Sequence, residues 1–264
     1  MKIADIEEYF DRVYPVSLRS AWDRDGLMVC PNRNREVGRI VTCLDVTFSV
    51  IERAKEIGAE LIVSHHPLIF SPLESIQEQS VLGRKIMLLL KNDISVLSLH
   101  TRFDAAPNGL NQAFAKLLRL TKEEGTVLSE EEPYIGGIGL LDEPLCPAEF
   151  ARRVSAALAH PVRLYSADKS IVRVGYCCGS GKDFVPQAQS VGAHAFVSGD
   201  ISYHVAQAAC EAGMSVIDCG HHASEKTAAD LLRSVLLELS PALEIDSVTE
   251  AIGGEIIGFS DVFC

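Results

Sequence analysis

A chain of 264 residues, 47% of them hydrophobic, can bury one large or two small α/β cores, which excludes a disordered or fibrous protein. A formal charge of −12 repels phosphate backbones and makes nucleic acid an unfavourable partner. The N-terminal stretch is polar and acidic (Asp5, Glu7, Glu8, Asp11), and no apolar run approaches bilayer length, so a cytoplasmic protein with no membrane partner is expected.

Apolar runs of strand and helix period alternate along the chain. Residues 39–45 predict a strand, and Phe48–Ile57 a helix with Val50, Ile51, Ala54 and Ile57 on one face, stopped by Gly58. Leu61–Ser64 reads as a short buried strand, 80–91 as a helix, 95–99 as a strand and 110–118 as a helix. That order implies parallel strands with right-handed crossovers. The acidic segment 121–133 is the expected boundary. Beyond it come strands at 135–141, 162–165 and 171–178 and a helix at Pro147–Leu158. Then follow a helix at 184–191, a strand at 195–198, a helix at 201–212, a strand at 215–219 and a helix at 226–239. A last strand is expected at 243–248. The expected fold is α/β: two interlinked α/β domains with largely parallel sheets. The first spans 1–124 and is completed by 226–264; the second spans 125–225.

The eight cysteines form no C-x-x-C pair and read as reduced structural thiols. The chemistry concentrates at three strand ends, where open parallel sheets bind their ligands. Leu61–Ser64 runs into His65, His66 and Pro67; the 95–99 strand runs into His100 and Asp104; the 215–219 strand runs into Gly220, His221, His222 and Glu225. Of eight histidines, His65, His66, His100, His204, His221 and His222 lie in or beside these places. Each piece alone has an ordinary explanation: a polar turn, a hydrogen-bonded loop pair, an i,i+4 surface pair. Their conjunction points to a metal site. Imidazole with carboxylate suits Zn, Fe, Mn, Co or Ni and disfavours Ca or Mg.

Four blocks then carry a resemblance: IVSHHPLIF at 62–70, HTRFDAAPNGLN at 100–111, SGDISYH at 198–204 and DCGHHASE at 218–225. Together with Trp22-Asp23, Gly26-Leu27 and Leu44-Asp45 they resemble the dinuclear metal-centre family. That family comprises GTP cyclohydrolase I type 2 homologues and is similar to NGG-interacting-factor-like proteins. The resemblance implies two divalent ions per chain, held by His65, His66, Asp104, His221 and Glu225. It also implies a homohexameric ring with the sites between the two domains. Arg24 and Arg102 depart from the family pattern, which puts the pocket's charge in question.

Open positions on two ions would activate water for attack on a small nucleotide-like substrate, so a metal-dependent, cyclohydrolase-like hydrolase is expected. His204 is the expected acid/base, with His100 and His222 as alternatives. A non-catalytic, metal-binding hexameric scaffold is the competing expectation.

Overall fold

Four-residue apolar strands buried on both faces organise the first half of the chain. The computed structural model describes residues 1–122 and 135–249. The segments 123–134 and 250–264, which hold most of the expected boundary, Gly253, Gly254 and Cys264, lie outside the described residues.

In chain order the first half places helix α1 (Ile3–Val13), strand β1 (Gly26–Val29), β2 (Arg39–Cys43), α2 (Phe48–Ile57), β3 (Leu61–Ser64), α3 (Val81–Lys91), β4 (Ser95–Ser98), α4 (Thr101–Ala105), α5 (Leu110–Leu117) and β5 (Thr121–Lys122). The second half places β6 (Gly137–Leu145), α6 (Pro147–Leu158), β7 (Arg163–Tyr165), β8 (Ile171–Ser180), α7 (Val185–Ser190), β9 (Ala195–Gly199), α8 (Tyr203–Glu211), β10 (Ser215–Asp218), α9 (His221–Glu225), α10 (Ala228–Leu239) and β11 (Glu244–Val248).

Local chemistry sets the helix limits. Thr47 caps α2 by accepting from the Val50 amide at 3.2 Å, and Gly58, at φ 68°, closes it in the left-handed region. Ser80 caps α3 in the same way through Gly83. Pro147 opens α6, where Glu149 reaches back to the Cys146 amide at 3.2 Å.

The first sheet has the order β1-β4-β3-β2-β11, parallel except at the β1 edge. The C-terminal strand β11 therefore pairs with β2, across nearly the whole sequence. The second sheet, β5-β6-β8-β9-β10-β7, is parallel through β8, β9 and β10 and antiparallel toward both edges.

Alternation along each strand divides the core into layers. Leu61, Val63 and Leu97 join Phe10, Phe103, Phe114, Phe150, Val197 and Ile217 in one cluster shared by both sheets. Ile62 and Val96 face the other way, onto Val50, Ile51 and Ile86 of α2 and α3. Phe196 and Val216 do the same against α7 and α8. This shared core brings the carboxyl ends of β3, β4 and β10 to one crevice.

Three differences from the sequence expectation matter for that crevice. The helix α4, which carries Asp104, is five residues long and too short to show a period. The helix expected at 226–239 forms as α10, and a separate five-residue helix, α9, precedes it and holds His221 and Glu225 at its two ends. The helix α1 buries Ile3, Ile6 and Phe10 on one face, a helical spacing not assigned from the sequence. Among the described residues, no helix is long and apolar enough to cross a membrane.

Candidate metal centre

His65 and His66 leave β3 under tight backbone control. Their amides donate to the Cys43 and Leu44 carbonyls at 3.1 and 2.9 Å, and the Ser64 hydroxyl donates to the His66 carbonyl at 2.9 Å. Pro67 then restricts His66 to an extended conformation. On the far side Gly220, at φ 77°, turns the chain sharply into α9, where His221 and Glu225 share a face.

Each imidazole is oriented by its Nδ1. His65 donates to the Leu99 carbonyl at 2.9 Å. His66 binds Asp45 Oδ1 at 2.8 Å, and His221 binds Asp200 Oδ2 at 2.8 Å. Every Nε2 is thereby turned toward one point, the arrangement that fixes imidazole ligands around a metal. Glu225 lies at that point, with Oε2 3.1 Å from His66 Nε2 and 3.0 Å from His221 Nε2. The two Nε2 atoms are themselves 3.3 Å apart. His65 Nε2 is buried with no hydrogen-bond partner, 3.7 Å from both Asp104 Oδ1 and Glu225 Oε1. A buried nitrogen with no hydrogen bond of its own, facing two carboxylates, fits a donor to a divalent cation.

The donors fall into groups able to hold an ion: His65, Asp104 and Glu225; His66, His221 and Glu225; and His65, His66 and His100. Glu225 belongs to the first two, so one carboxylate joins both halves of the site. All five residues implied as ligands are brought together.

The electrostatics follow from burial and pairing. Burial opposes charge on His66, but its bonds to Asp45 and Glu225 override that and raise it to about 10. The bond to Glu225 raises His221 to about 9. Burial would raise Glu225, yet three imidazoles pull it well below the usual carboxylate range. Burial, joined by the charge of Glu225, pushes Asp104 up.

An ion held by these donors would reach His66 and His221 only after their protons leave. Its affinity should therefore rise with pH from the ordinary histidine value of 6.5 to about 9, roughly tenfold per pH unit for each displaced proton. Zinc competition against a chelator at several pH values measures this; a flat profile would contradict it. In the metal-free protein the sign reverses. Raised histidines contribute stability fully below 6.5 and lose it as pH climbs through about 9 to 10, so the melting temperature should fall across that range.

His100 immediately precedes α4 and is held the same way, with Nδ1 2.8 Å from Asp23 Oδ1. Asp23 is buried and also accepts from the Thr101 amide and hydroxyl at 3.1 and 2.7 Å. Burial opposes its charge, but these donors hold it down at about 2. The His100 ring lies 5.4 Å from that of His65. His204 is not brought to the site. It is exposed at the start of α8, with its ring against Tyr203, because Ala206 and Ala209 take the inward face. His222 does not line the cavity either.

That cavity has a volume of about 720 Å³ and runs from the donors past Trp22, Phe70, Cys178 and Phe184. Arg102 points away from it, buried against Asp11 at 2.6 Å and Asp25 at 3.0 Å. Arg24 is exposed and does not line it. The two departures from the family pattern therefore leave the pocket without their charge.

Sequence reasoning missed Asp23, Asp200 and Gly179. The last presses on Glu225 with no side chain of its own.

The chain is 35% identical over 231 residues to a GTP cyclohydrolase 1 type 2 homolog of Clostridium perfringens, covering 85% of this chain and 87% of that one. It is 30% identical over 250 residues to a GTP cyclohydrolase 1 type 2 of Helicobacter pylori, covering 93% and 96%. The crystal structure of a Staphylococcus aureus hypothetical protein superposes with a TM-score of 0.87 at 26% identity, covering 97% and 99%. The model of the Duf34/NIF3 (NGG1p interacting factor 3) family matches residues 1–251, and the chain belongs to that family.

Proposed function

We propose that the protein is a hydrolase that works with two divalent ions. One is held by His65, Asp104 and Glu225, the other by His66, His221 and Glu225. The observation that carries this reading is the sharing of Glu225 between two donor groups with anchored imidazoles. Two ions on five protein ligands keep open positions, which a closed structural site does not. When bound, the ions supply Lewis-acid polarisation and water activation. The names of the relatives support a ring-opening hydrolysis of a small heterocyclic substrate. A homohexamer is part of the same proposal and rests on family likeness.

The chain's own residues supply the rest. Asp23 holds the His100 Nδ1 proton, so Nε2 is the atom that faces the cavity and exchanges a proton with the substrate. Asp45 and Asp200 keep His66 and His221 aimed. His100 thus takes the acid/base role expected of His204.

The test is turnover of metal-loaded protein on a panel of purine nucleosides and nucleotides including GTP. His100→Gln should lower kcat on the order of 100-fold while metal content stays at the wild-type value. His204→Ala should change neither. No turnover on the panel, or full activity in His100→Gln, would remove the reading.

A further inference from the structure

The metal-facing residues do not account for the upper wall of the cavity. There Trp22 is 61% exposed and Phe70 is 54% exposed, although both line a concave site. Large aromatic side chains left in water beside buried polar groups mark a surface built to be covered. Their ring centroids are 6.1 Å apart at 53°, and His100 stands edge-on to both, 6.0 Å from Trp22 and 6.3 Å from Phe70. The corner is fixed from below. The Asp23 amide donates to the Ser20 carbonyl at 3.0 Å, and the Asp23 carboxylate is locked by Thr101 and His100.

Charge narrows the occupant. Among the described residues, none that lines the cavity is Lys or Arg, whereas Asp45, Asp104, Asp183 and Glu225 all do. Polyphosphate binding sites are built from Lys, Arg or Gly-rich backbone donors. Here an anionic tail would meet carboxylates and would depend on the ions alone. A cavity of about 720 Å³ has room for a fused ring with one further substituent.

We propose that Trp22 and Phe70 form a stacking platform for an uncharged planar heteroaromatic ring, a nucleobase or nucleoside, and that the site reads the ring while leaving phosphates unread. This deepens the hydrolase reading, on whose site it rests, by naming the substrate class. Stacking tolerates many ring identities, because every base offers a π face, so the platform sets the class and the ions set the reacting position.

Trp22 is the single tryptophan of the chain, so its fluorescence reports on this spot alone. The experiment titrates metal-free and metal-loaded protein with guanosine, adenosine, uridine, GTP, ribose 5-phosphate and tripolyphosphate, followed by fluorescence and calorimetry. Nucleosides should quench Trp22 saturably in both forms. In the metal-free form GTP should bind more weakly than guanosine, and the two ring-free phosphates should not bind. Phe70→Ala and Trp22→Ala should each weaken guanosine on the order of tenfold, read by calorimetry, with melting temperature and metal content unchanged. Trp22→Phe should retain affinity. The proposal is overturned if no nucleoside binds, if Phe70→Ala binds guanosine like the wild type, or if tripolyphosphate outcompetes guanosine on metal-free protein. Binding rather than turnover is the readout. Nucleoside binding without turnover would therefore remove the hydrolase reading alone, and turnover without stacking would remove the platform alone.

Discussion

Replacing Glu225 with alanine should empty both halves of the proposed site, taking metal content from the proposed level of about two ions per chain to near zero. The reason is geometric. Glu225 Oε2 sits 3.1 and 3.0 Å from the Nε2 atoms of His66 and His221, and Oε1 sits 3.7 Å from that of His65. No other residue belongs to both donor groups that contain a carboxylate. Asp104→Ala and His221→Ala each touch one of those groups, so each should leave about one ion. Glu225→Gln keeps the shape and removes the charge that balances three imidazoles, and it should lose metal nearly as completely as the alanine variant. Elemental analysis of protein purified without a chelator or a metal-affinity tag reads these differences, with circular dichroism to show that the fold persists. Two ions retained in Glu225→Ala would break the assignment of a shared ligand.

How far the sequence reaches depends on the range of the interaction involved. The strands β3 and β4 were legible because burial on both faces gives short unbroken apolar runs, and the histidines after them stood out against that background. The helix α6 was legible to the residue, because Pro147 and Glu149 mark its start chemically. Asp104 was reached from its place beyond the β4 strand and His100, although the five-residue helix that carries it has no period to read. The anchors were invisible for a different reason. Asp23 meets His100 across 77 positions, and Asp200 meets His221 across 21, through folds that no local pattern encodes. His204 shows the opposite error. The SGD turn before it does belong to the site, but through Asp200, which sits at φ 55° and reaches His221. The antiparallel edges of the second sheet were likewise beyond local reading, because β6 and β8 pair across an intervening helix and strand.

Gly179→Ala should cost the protein its metal although it alters no ligand. Gly179 ends the run Cys177-Cys178-Gly179 on β8 at φ 66°, in the left-handed region, where a side chain costs about 1 kcal/mol in strain. A Cβ there would stand 2.2 Å from Glu225 Oε1, 3.2 Å from its Cδ and 3.4 Å from His221 Nε2. Neither side can yield. The Gly179 amide donates to Ser224 Oγ at 2.9 Å, and its carbonyl accepts from Ser198 Oγ at 3.3 Å, which clamps the strand. Glu225 is held in turn by His66 and His221, so it is not the free end of a flexible chain. The carboxylate must swing out of the point that both donor groups share. Metal content should then fall toward that of Glu225→Ala, and the metal-free protein should lose about 1–3 kcal/mol of stability. Gly213→Ala separates the two causes. It has the same kind of backbone strain, at φ 87°, but its Cβ meets only the mobile end of Lys169. That variant should lose some stability and keep its metal. If Gly179→Ala also kept its metal, close approach of the β8 backbone would not be what fixes Glu225, and the carboxylate would have more freedom than its two imidazole contacts imply.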